Sequence, residues 1–501
     1  MAEFSAEEIA SIVEGQILQG SSNIMINNFS TNSKEGDSHT LFVPIIGERV
    51  DAHDYIKDAY QHGITATFTG RDNVEDDTHD MTYIKVESPV VALQHLGATY
   101  RKRFQTPMIG VTGSVGKTTT KEMIAAALST KYHILKTLGN KNSQVGLPQM
   151  MMMLDDKHQV AVIEMGMSKA GEMERLAAVA MPTMAVITNI GVSHIGQLKS
   201  KENIRKEKAA IVNQFNKGSI LLVNGDDPLL LELAEAYHGE DHQGGNDSRA
   251  TIDLYKETQE KLNDTTICTF GTSKKHTIWA DQIEVKDGKT IFTVHYKDLS
   301  GSYYSEQVEL SVLGQHNVLN ALVALFFAIQ MKIPVSLAKE GLKEYQPLSM
   351  RGDAIHVNGL TLIDDTYNAS PDSMKGAIEV VMALPKNHKK IIVFADILEL
   401  GEISAHCHYE VGEYLVNKTI EAKQKGMYHA TVDLVITIGS EAAHIIEGIN
   451  AHPTEIETIA FTKREDAIPY VMSQVTKGDT ILLKGSRGMQ LEEIVKKLKE
   501  G

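Results

Sequence analysis

The chain has 501 residues, of which 42% are hydrophobic and 23% are charged, so we expect several folded domains of ordinary composition. Its formal net charge of −16 disfavours nucleic acid or an anionic membrane as a partner. The two cysteines, Cys268 and Cys407, exclude a disulfide framework and favour a cytoplasmic location. The acidic N-terminus does not resemble a signal peptide, and no apolar run reaches the roughly 18 residues that span a bilayer, so membrane insertion is not expected.

The order of apolar runs predicts an α/β fold in three domains. Residues 1–105 form a small N-terminal α/β unit with short strands. From 106 to 332, apolar runs alternate with helical segments, which predicts a central parallel sheet covered on both faces. An antiparallel appendage begins near residue 278, where the hydrophobic period becomes two around Asp287-Gly288. Residues 333–501 repeat the alternation and predict a C-terminal, Rossmann-like α/β domain, with a hinge near Ile333.

A phosphate-binding loop is the first functional motif along the chain. The segment TGSVGKTTT, residues 112–120, lies between an apolar strand and a helical sequence. Its backbone N–H groups can wrap a phosphate, Lys117 adds charge at the outer phosphates, and Thr118 can hold Mg²⁺. Val111 stands where the G-x-x-x-x-G-K-[ST] spacing has glycine, so the loop is a variant. The predicted nucleotide-binding residues here are Gly113, Ser114, Val115, Gly116, Lys117, Thr118 and Thr119.

Polar residues at the ends of later strands are further candidates, because ligands bind at the carboxyl edge of a parallel sheet. Glu164 follows VAVI and can coordinate Mg²⁺ or be a solvated loop carboxylate. His194, in NIGVSHIG, can be a ligand or a structural histidine. Turn chemistry is the alternative to a binding role for IDDTYNASP, residues 363–371.

Three further segments also allow an ordinary structural interpretation. The run KSKENIRKEKAAI, residues 199–211, is typical of a charged helix face in water. Asn317 and Asn320 lie on one face of a helix start, where asparagine also serves as a cap. Arg351 and Arg487 are cations suited to phosphate or carboxylate groups, although isolated basic residues are usually solvated.

Together and in this order, the motifs resemble those of the Mur ligase family over almost the whole chain. The more specific ones are TGSVGKTTT, GNKNSQVGLP, EMGM, NIGVSHIG, GQHNVLNA, DDTYNASP, ILELG and KGSRGM. The GNKN and DDTYNASP elements resemble the D-alanyl-D-alanine-adding member more than its siblings. The chain departs from the family pattern at Ser143, at Ala210 and in the uridine segments at residues 32–34 and 51–53.

The resemblance implies a role for each domain and for individual residues. The N-terminal unit would bind a UDP-sugar, the central unit ATP, and the C-terminal unit would close over the nucleotide. Lys208 matches the family's carbamylated lysine, which becomes an anion able to bind a second Mg²⁺. The implied metal ligands are Thr118, Glu164, His194 and Lys208, and the catalytic set is Lys117, His194, Lys208 and Asn320. Asn317, Arg351 and Asp365 would also bind the nucleotide, and Ser33, Asn142, Tyr367, Asn368 and Arg487 the substrate.

The implied reaction is an ATP- and Mg²⁺-dependent ligation through an acyl phosphate. Its partners would be UDP-N-acetylmuramoyl-tripeptide and D-alanyl-D-alanine, and we expect a monomer. One alternative is a sibling ligase with another acceptor, either diaminopimelate-adding or folylpolyglutamate synthase-like. A P-loop GTPase switch is disfavoured, because Asn140-Lys141 lacks the aspartate of a guanine-recognition N-K-x-D motif.

Overall fold

The computed structural model describes residues 3–47, 50–75, 77–237, 252–286 and 288–500. Within those ranges the chain forms a two-stranded ribbon and sheets of five, nine and six strands. Helices lie between most of the strands. This arrangement confirms the predicted α/β class.

The N-terminal unit is built on the five-stranded sheet. The sheet has the order β2-β7-β6-β5-β4 and is parallel except for the edge pair β2-β7. Its elements, with the ribbon β1-β3, are β1 (Phe4–Ser5), α1 (Ala6–Ile12), β2 (Gln16–Gln19), β3 (Met25–Ile26), β4 (Asn28–Ser30), β5 (Thr40–Phe42), α2 (Ile56–Gln61), β6 (Ala66–Thr69), β7 (Thr82–Lys85) and α3 (Pro89–Arg101).

The central unit contains the nine-stranded sheet, in the order β16-β15-β14-β13-β12-β11-β8-β10-β9. Its strands are β8 (Met108–Thr112), β9 (Ile134–Lys136), β10 (Val160–Glu164), β11 (Met184–Ile187), β12 (Ile220–Asn224), β13 (Thr266–Gly271), β14 (Ile278–Lys286), β15 (Lys289–Lys297) and β16 (Tyr303–Leu310). Its helices are α4 (Lys117–Ser129), α5 (Gly146–Met151), α6 (Glu172–Ala180), α7 (Ile195–Leu198), α8 (Lys201–Ala209), α9 (Pro228–Tyr237), α10 (Lys256–Asn263), α11 (Gln315–Gln330) and α12 (Val335–Lys343).

Strand pairing in this sheet confirms the predicted parallel sheet and antiparallel appendage. Strands from β9 to β14 pair in parallel, whereas β15 is antiparallel to both β14 and β16. Asp287, in the predicted turn, lies outside the described residues, but Lys286 pairs with Lys289 across it. Strand β8 lies between β10 and β11, and the chain leaves it toward β9 on one side and later reaches β11 on the other. The phosphate loop therefore starts where ligands bind in such sheets.

The C-terminal unit contains the six-stranded sheet, in the order β17-β18-β22-β19-β20-β21, of which only β17 is antiparallel to its neighbour. Its strands are β17 (Asp353–Val357), β18 (Leu360–Asp365), β19 (Lys390–Ala395), β20 (Leu434–Ile438), β21 (Glu457–Phe461) and β22 (Thr480–Lys484). Its helices are α13 (Pro371–Ala383), α14 (Ser404–Gln424), α15 (Ala443–Asn450), α16 (Arg464–Gln474) and α17 (Glu492–Glu500).

Two helices pack across the domain limits expected from the sequence. Helix α3 packs against α5 and α6, and α12 packs against α4. Ile333 is 2% exposed and belongs to the same hydrophobic cluster as α4 and α11. The limits at 105 and 332 and the hinge remain predictions, and we propose that the central unit extends through α12, so that the hinge lies in residues 346–352.

In the part of the chain that the structure describes, no helix is both long and apolar enough to cross a membrane.

Candidate active site

The phosphate loop connects β8 to α4 and depends on two glycines. Gly113 has φ 151°, and a Cβ there would lie 1.8 Å from Thr188 Oγ1. Gly116 has φ 84° and is the residue before α4. The Val115 backbone N–H donates to Asn189 Oδ1 at 2.8 Å, which fixes the loop to the segment after β11. The first turn of α4 therefore directs free N–H groups into the space above the loop.

Lys117 folds back over this loop. Its Nζ donates to the carbonyl of Gly113 at 2.8 Å and to that of Ser114 at 3.3 Å. Burial lowers the pKa of Lys117, the carboxylate of Glu164 opposes this shift, and the guanidinium of Arg351 adds to it. A desolvated ammonium beside a second cation is an attractive partner for a phosphate group.

Glu164 and Thr118 form the part of the site that fits a divalent cation. Thr118 Oγ1 donates to Glu164 Oε2 at 3.0 Å, and Asn142 Nδ2 donates to Glu164 Oε1 at 2.7 Å. Glu164 is 3% exposed, so it is not a solvated loop residue. Among the described residues no group of three or more His, Cys, Asp or Glu side chains is placed to hold a metal. Mg²⁺ in P-loop sites needs few protein ligands, because phosphate oxygens and water supply the others.

Helix α11 supplies two asparagines to the same region. Asn320 Oδ1 accepts from Thr120 Oγ1 at 2.9 Å, and Asn320 Nδ2 donates to Asn317 Oδ1 at 3.3 Å. Asn317 Nδ2 in turn donates to the Leu313 carbonyl at 2.8 Å. The residue at the helix N-cap is Gly314, so neither asparagine acts as the cap. This chain of hydrogen bonds links α11 to α4 behind the phosphate loop.

The C-terminal unit forms the facing wall. Lys484 Nζ, at the end of β22, donates to Asp365 Oδ2 at 2.6 Å and to the Asn368 carbonyl at 3.1 Å. The guanidinium of Arg351 lies 3.8 Å from the centre of the Tyr367 ring, a cation–π contact. Ser370 accepts from the Ser373 N–H and caps α13, so turn and cap chemistry explains that end of the IDDTYNASP segment.

Three basic side chains, Lys117, His194 and Lys208, lie near the phosphate loop and repel one another. His194 Nδ1 lies 2.9 Å from Glu399 Oε2 of the C-terminal unit. Burial lowers the pKa of His194, with Glu399 opposing and Lys117 and Lys208 adding to the shift. Lys208 is 2% exposed, and burial followed by Lys117 lowers its pKa well below the usual value. In the charged run of residues 199–211, residues 201–203 are exposed, as a solvated helix face requires. That interpretation is wrong for the second half of α8, which packs Lys208 inside the protein.

A cavity of about 930 Å³ lies between the central and C-terminal units. The predicted site residues that line it are Ser114, Val115, Gly116, Lys117, Thr118, Thr119, Asn142, Glu164, His194, Asn317, Asn320, Arg351, Asp365, Tyr367 and Asn368. Gly113, Lys208, Ser33 and Arg487 are not among the lining residues.

Ser33 and Arg487 have other partners. The Ser33 hydroxyl donates to Asp58 Oδ2 at 2.6 Å within the N-terminal unit. Arg487 pairs with Glu492 at 3.2 Å and lies 3.1 Å from the sulfur of Met350. The structure places neither side chain at the cavity, and their predicted substrate contacts remain predictions.

The sequence assigns no role to Glu399, His316 or Tyr345, and it offers Lys484 only as one of the cations of the KGSRGM motif. Lys484, His316 and Tyr345 line the cavity, and Glu399 contacts His194. Lys484 and Glu399 lie in the motifs KGSRGM and ILELG, but the motifs do not say which side chain points to the site. His316 lies in GQHNVLNA, beside the two asparagines. No sequence signal indicates Tyr345.

The fold and the cavity define a class of protein: a P-loop nucleotide-binding protein whose site is completed by a second α/β domain. Comparison with known families gives the same result. Residues 111–252 and 245–328 match the Mur ligase middle domain, and residues 350–487 match the Mur ligase glutamate ligase domain.

Full-length relatives extend the match to the N-terminal unit. A Bacillus subtilis protein named UDP-N-acetylmuramoyl-tripeptide–D-alanyl-D-alanine ligase is 34% identical, over 100% of this chain and 99% of its own length. The crystal structure of MurF from Acinetobacter baumannii has a TM-score of 0.82 and 26% identity, with 100% of both chains covered. MurF ligase from Thermotoga maritima, in complex with ADP, has a TM-score of 0.75 and 27% identity, covering 94% of this chain and 97% of that one. The chain belongs to the Mur ligase family.

Proposed function

We propose that this chain joins D-alanyl-D-alanine to UDP-N-acetylmuramoyl-tripeptide with ATP, through an acyl phosphate, to give the pentapeptide precursor of peptidoglycan. One observation carries the proposal: a single cavity combines the phosphate loop with polar and cationic groups of the C-terminal unit. The names of the relatives that match over their whole length support this choice of substrates.

The chemistry explains why a phosphate loop serves amide formation. A carboxylate does not condense with an amine at neutral pH, because hydroxide is a poor leaving group. Transfer of the γ-phosphoryl group to the terminal carboxylate of the tripeptide makes phosphate the leaving group. The amine of D-alanyl-D-alanine then attacks the acyl carbon, phosphate departs, and the amine loses a proton.

Lys117 is the group best placed to stabilise charge on the transferring phosphoryl group. It is held over the loop by two carbonyls, and its lowered pKa reflects desolvation and nearby positive charge. A fixed cation in a site shielded from water stabilises a developing negative charge more than it could in bulk solvent. Closure of the C-terminal unit over the cavity would also keep water from the acyl phosphate.

Mg²⁺ would be held by Thr118 and Glu164, with His194 and a modified Lys208 completing a second site. Bound there, it would neutralise phosphate charge. The lowered pKa of Lys208 favours the neutral amine that carbamylation by CO₂ requires.

The other predicted residues would bind the nucleotide and the substrate. Asn317, Arg351 and Asp365 would contact the nucleotide, with Asn320 supporting Asn317. Inside the cavity, the substrate would contact Asn142, Tyr367 and Asn368. Outside the cavity, it would contact Ser33 and Arg487.

We also propose a cytoplasmic monomer. All the proposed catalytic residues come from one chain, so the site needs no partner subunit. ATP and UDP-linked substrates are cytoplasmic metabolites, and the two cysteines, Cys268 and Cys407, are free thiols, which suits a reducing compartment.

The test is phosphate release from ATP and Mg²⁺ with UDP-N-acetylmuramoyl-tripeptide, with and without D-alanyl-D-alanine, combined with mass detection of the product. Tripeptides ending in lysine and in diaminopimelate should both be offered. Release that requires both substrates and yields pentapeptide is the expected result. Tight ATP binding without pentapeptide would instead identify a sibling ligase if product formed from UDP-N-acetylmuramoyl-L-alanyl-D-glutamate with diaminopimelate, or from a folate with glutamate.

Lys117→Met should reduce the turnover of this reaction by at least about 100-fold, as expected when a main electrostatic contact to the transition state is lost. Lys217→Met is the matched control, because Lys217 is exposed on the turn before β12. Turnover by Lys117→Met close to that of the control would contradict the role of Lys117.

A further inference from the structure

The loop of residues 189–194, which precedes α7, contacts both the phosphate loop and the C-terminal unit. On one side, the Gly191 N–H donates to Ser114 Oγ at 2.8 Å. On the other side, Val192 packs against the hydrophobic cluster of the C-terminal unit. A Cβ at Gly191 would lie 2.5 Å from Asp372 Oδ2, in the first turn of α13. The C-terminal unit therefore docks directly on a loop that is bonded to the nucleotide site.

His194 and Glu399 make a polar contact in this docking surface, at 2.9 Å between Nδ1 and Oε2. Both have left-handed backbone conformations, with φ 63° for His194 and φ 68° for Glu399. The backbones of the two units lie close together here, since a Cβ at Gly196 would lie 3.1 Å from the Glu399 carbonyl oxygen. Left-handed non-glycine residues cost free energy and occur where the surrounding structure enforces them, often at functional sites.

Stability alone does not account for this contact. The side chains of His194 and Glu399 are 27% and 69% exposed, and a polar contact that water can reach contributes little to folding. The contact does determine the chemistry of the ring. A carboxylate can only accept a hydrogen bond, so His194 Nδ1 must carry the proton. In the neutral ring, Nε2 is then left with a lone pair that can bind a metal ion.

We propose that Glu399 is a positioning residue, which reaches from the C-terminal unit to hold His194 in the tautomer whose Nε2 can ligate Mg²⁺. The inference rests on the proposed function, in which His194 is a metal ligand. In this arrangement the metal site depends on docking of the C-terminal unit, because Glu399, which orients His194, belongs to that unit. Carboxylate partners of metal-binding histidines typically change metal affinity or activity by about 10- to 100-fold.

Two variants test whether position 399 needs a hydrogen-bond acceptor for His194. Glu399→Gly removes the carboxylate and relaxes the left-handed residue, whereas Glu399→Gln keeps an oxygen that can accept from Nδ1. Glu402→Gln is the matched control, because Glu402 is exposed and follows in the same segment. Thermal unfolding of each variant establishes that it is folded. The probe is Mn²⁺, titrated calorimetrically into the full-length protein saturated with the ATP analogue AMP-PNP.

Glu399→Gly should weaken one class of Mn²⁺ site by about 10- to 100-fold. Glu399→Gln and Glu402→Gln should stay within about threefold of the unmodified protein, and AMP-PNP affinity without metal should not change. Mn²⁺ affinity of Glu399→Gly within twofold of the unmodified protein would overturn the proposal, as would an equal loss in Glu402→Gln. Failure of the proposed function would look different, because the unmodified protein would then make no pentapeptide.

Discussion

Gly113 shows how strongly a single residue of the phosphate loop is constrained. It has φ 151°, and a Cβ there would lie 1.8 Å from Thr188 Oγ1. Thr188 cannot move away freely, because its hydroxyl donates to the Val115 carbonyl at 2.6 Å. A side chain at Gly113 would therefore displace the same backbone groups that are placed to bind phosphate.

Gly113→Ala should lower the free energy of unfolding by about 3 kcal/mol or more and weaken AMP-PNP binding. The measurements are urea denaturation and calorimetric titration of the nucleotide. Gly139→Ala is the control, since Gly139 has φ 55° but a Cβ there would have no atom within 4 Å. That change should cost only the conformational strain, about 1 kcal/mol. Equal losses in the two variants would show that crowding against Thr188 is unimportant.

At the scale of secondary structure, Lys390 joins three elements of the C-terminal unit. It begins β19 and is fully buried. Its Nζ donates to the carbonyls of Met382 at 3.1 Å and Leu384 at 2.6 Å, where α13 ends, and to that of His429 at 2.9 Å, before β20. One ammonium thus satisfies carbonyls that the end of α13 leaves without helical partners.

Lys390→Met should lower the free energy of unfolding by about 2 to 4 kcal/mol, because it leaves these buried carbonyls without a donor. Lys389→Met is the matched control: Lys389 is the neighbouring residue and is exposed, so its loss should change stability by less than about 0.5 kcal/mol. Denaturant titrations of both variants test this. If Lys390→Met lowers the free energy of unfolding no more than Lys389→Met does, water satisfies these carbonyls as well as the ammonium does.

The same lysine predicts a pH dependence. Burial, followed by repulsion from Lys386, lowers the pKa of Lys390 to about 8 from 10.5. Between these two values the unfolded chain binds more protons than the folded chain, so the stability that this group contributes rises with pH. The unmodified protein should gain stability relative to Lys390→Met as the pH is raised from about 8 to 10.5. A difference that shrinks over this window would contradict the lowered pKa.

At the scale of the whole molecule, the cavity lies between the carboxyl ends of strands from two different sheets. Thr112 and Glu164 end β8 and β10 in the central sheet, and Asp365 and Lys484 end β18 and β22 in the C-terminal sheet. Residues 346–352, the hinge proposed above, lie between α12 and β17. They contribute Gln346, Pro347, Arg351 and Gly352 to the lining. A nucleotide bound in the cavity would therefore contact both units and the segment that joins them.

AMP-PNP with Mg²⁺ should slow hydrogen exchange in residues 346–352 and in the phosphate loop, because it binds the docked arrangement preferentially. Peptides from β6, in the N-terminal sheet away from the cavity, serve as the internal control. Mass spectrometry of the exchanged peptides gives both values in one experiment. Equal protection in β6 and in residues 346–352 would argue against a hinge in this segment.

Much of this arrangement is encoded locally and was predictable. The parallel sheet, the antiparallel appendage and the phosphate loop follow from short-range periodicity and from contiguous motifs. Most of the predicted site residues line one cavity, because the carboxyl ends of parallel strands meet at one edge of a sheet. For these features the sequence by itself was sufficient.

Other features were decided only by the tertiary structure. The burial of Lys208, the contact between His194 and Glu399, and the packing of α12 on the central unit all join segments that are distant in the chain. A charged run such as residues 199–211 has the same local pattern whether it faces water or the interior. Burial and partners depend on which surfaces the folded chain brings together, and local periodicity carries no information about that.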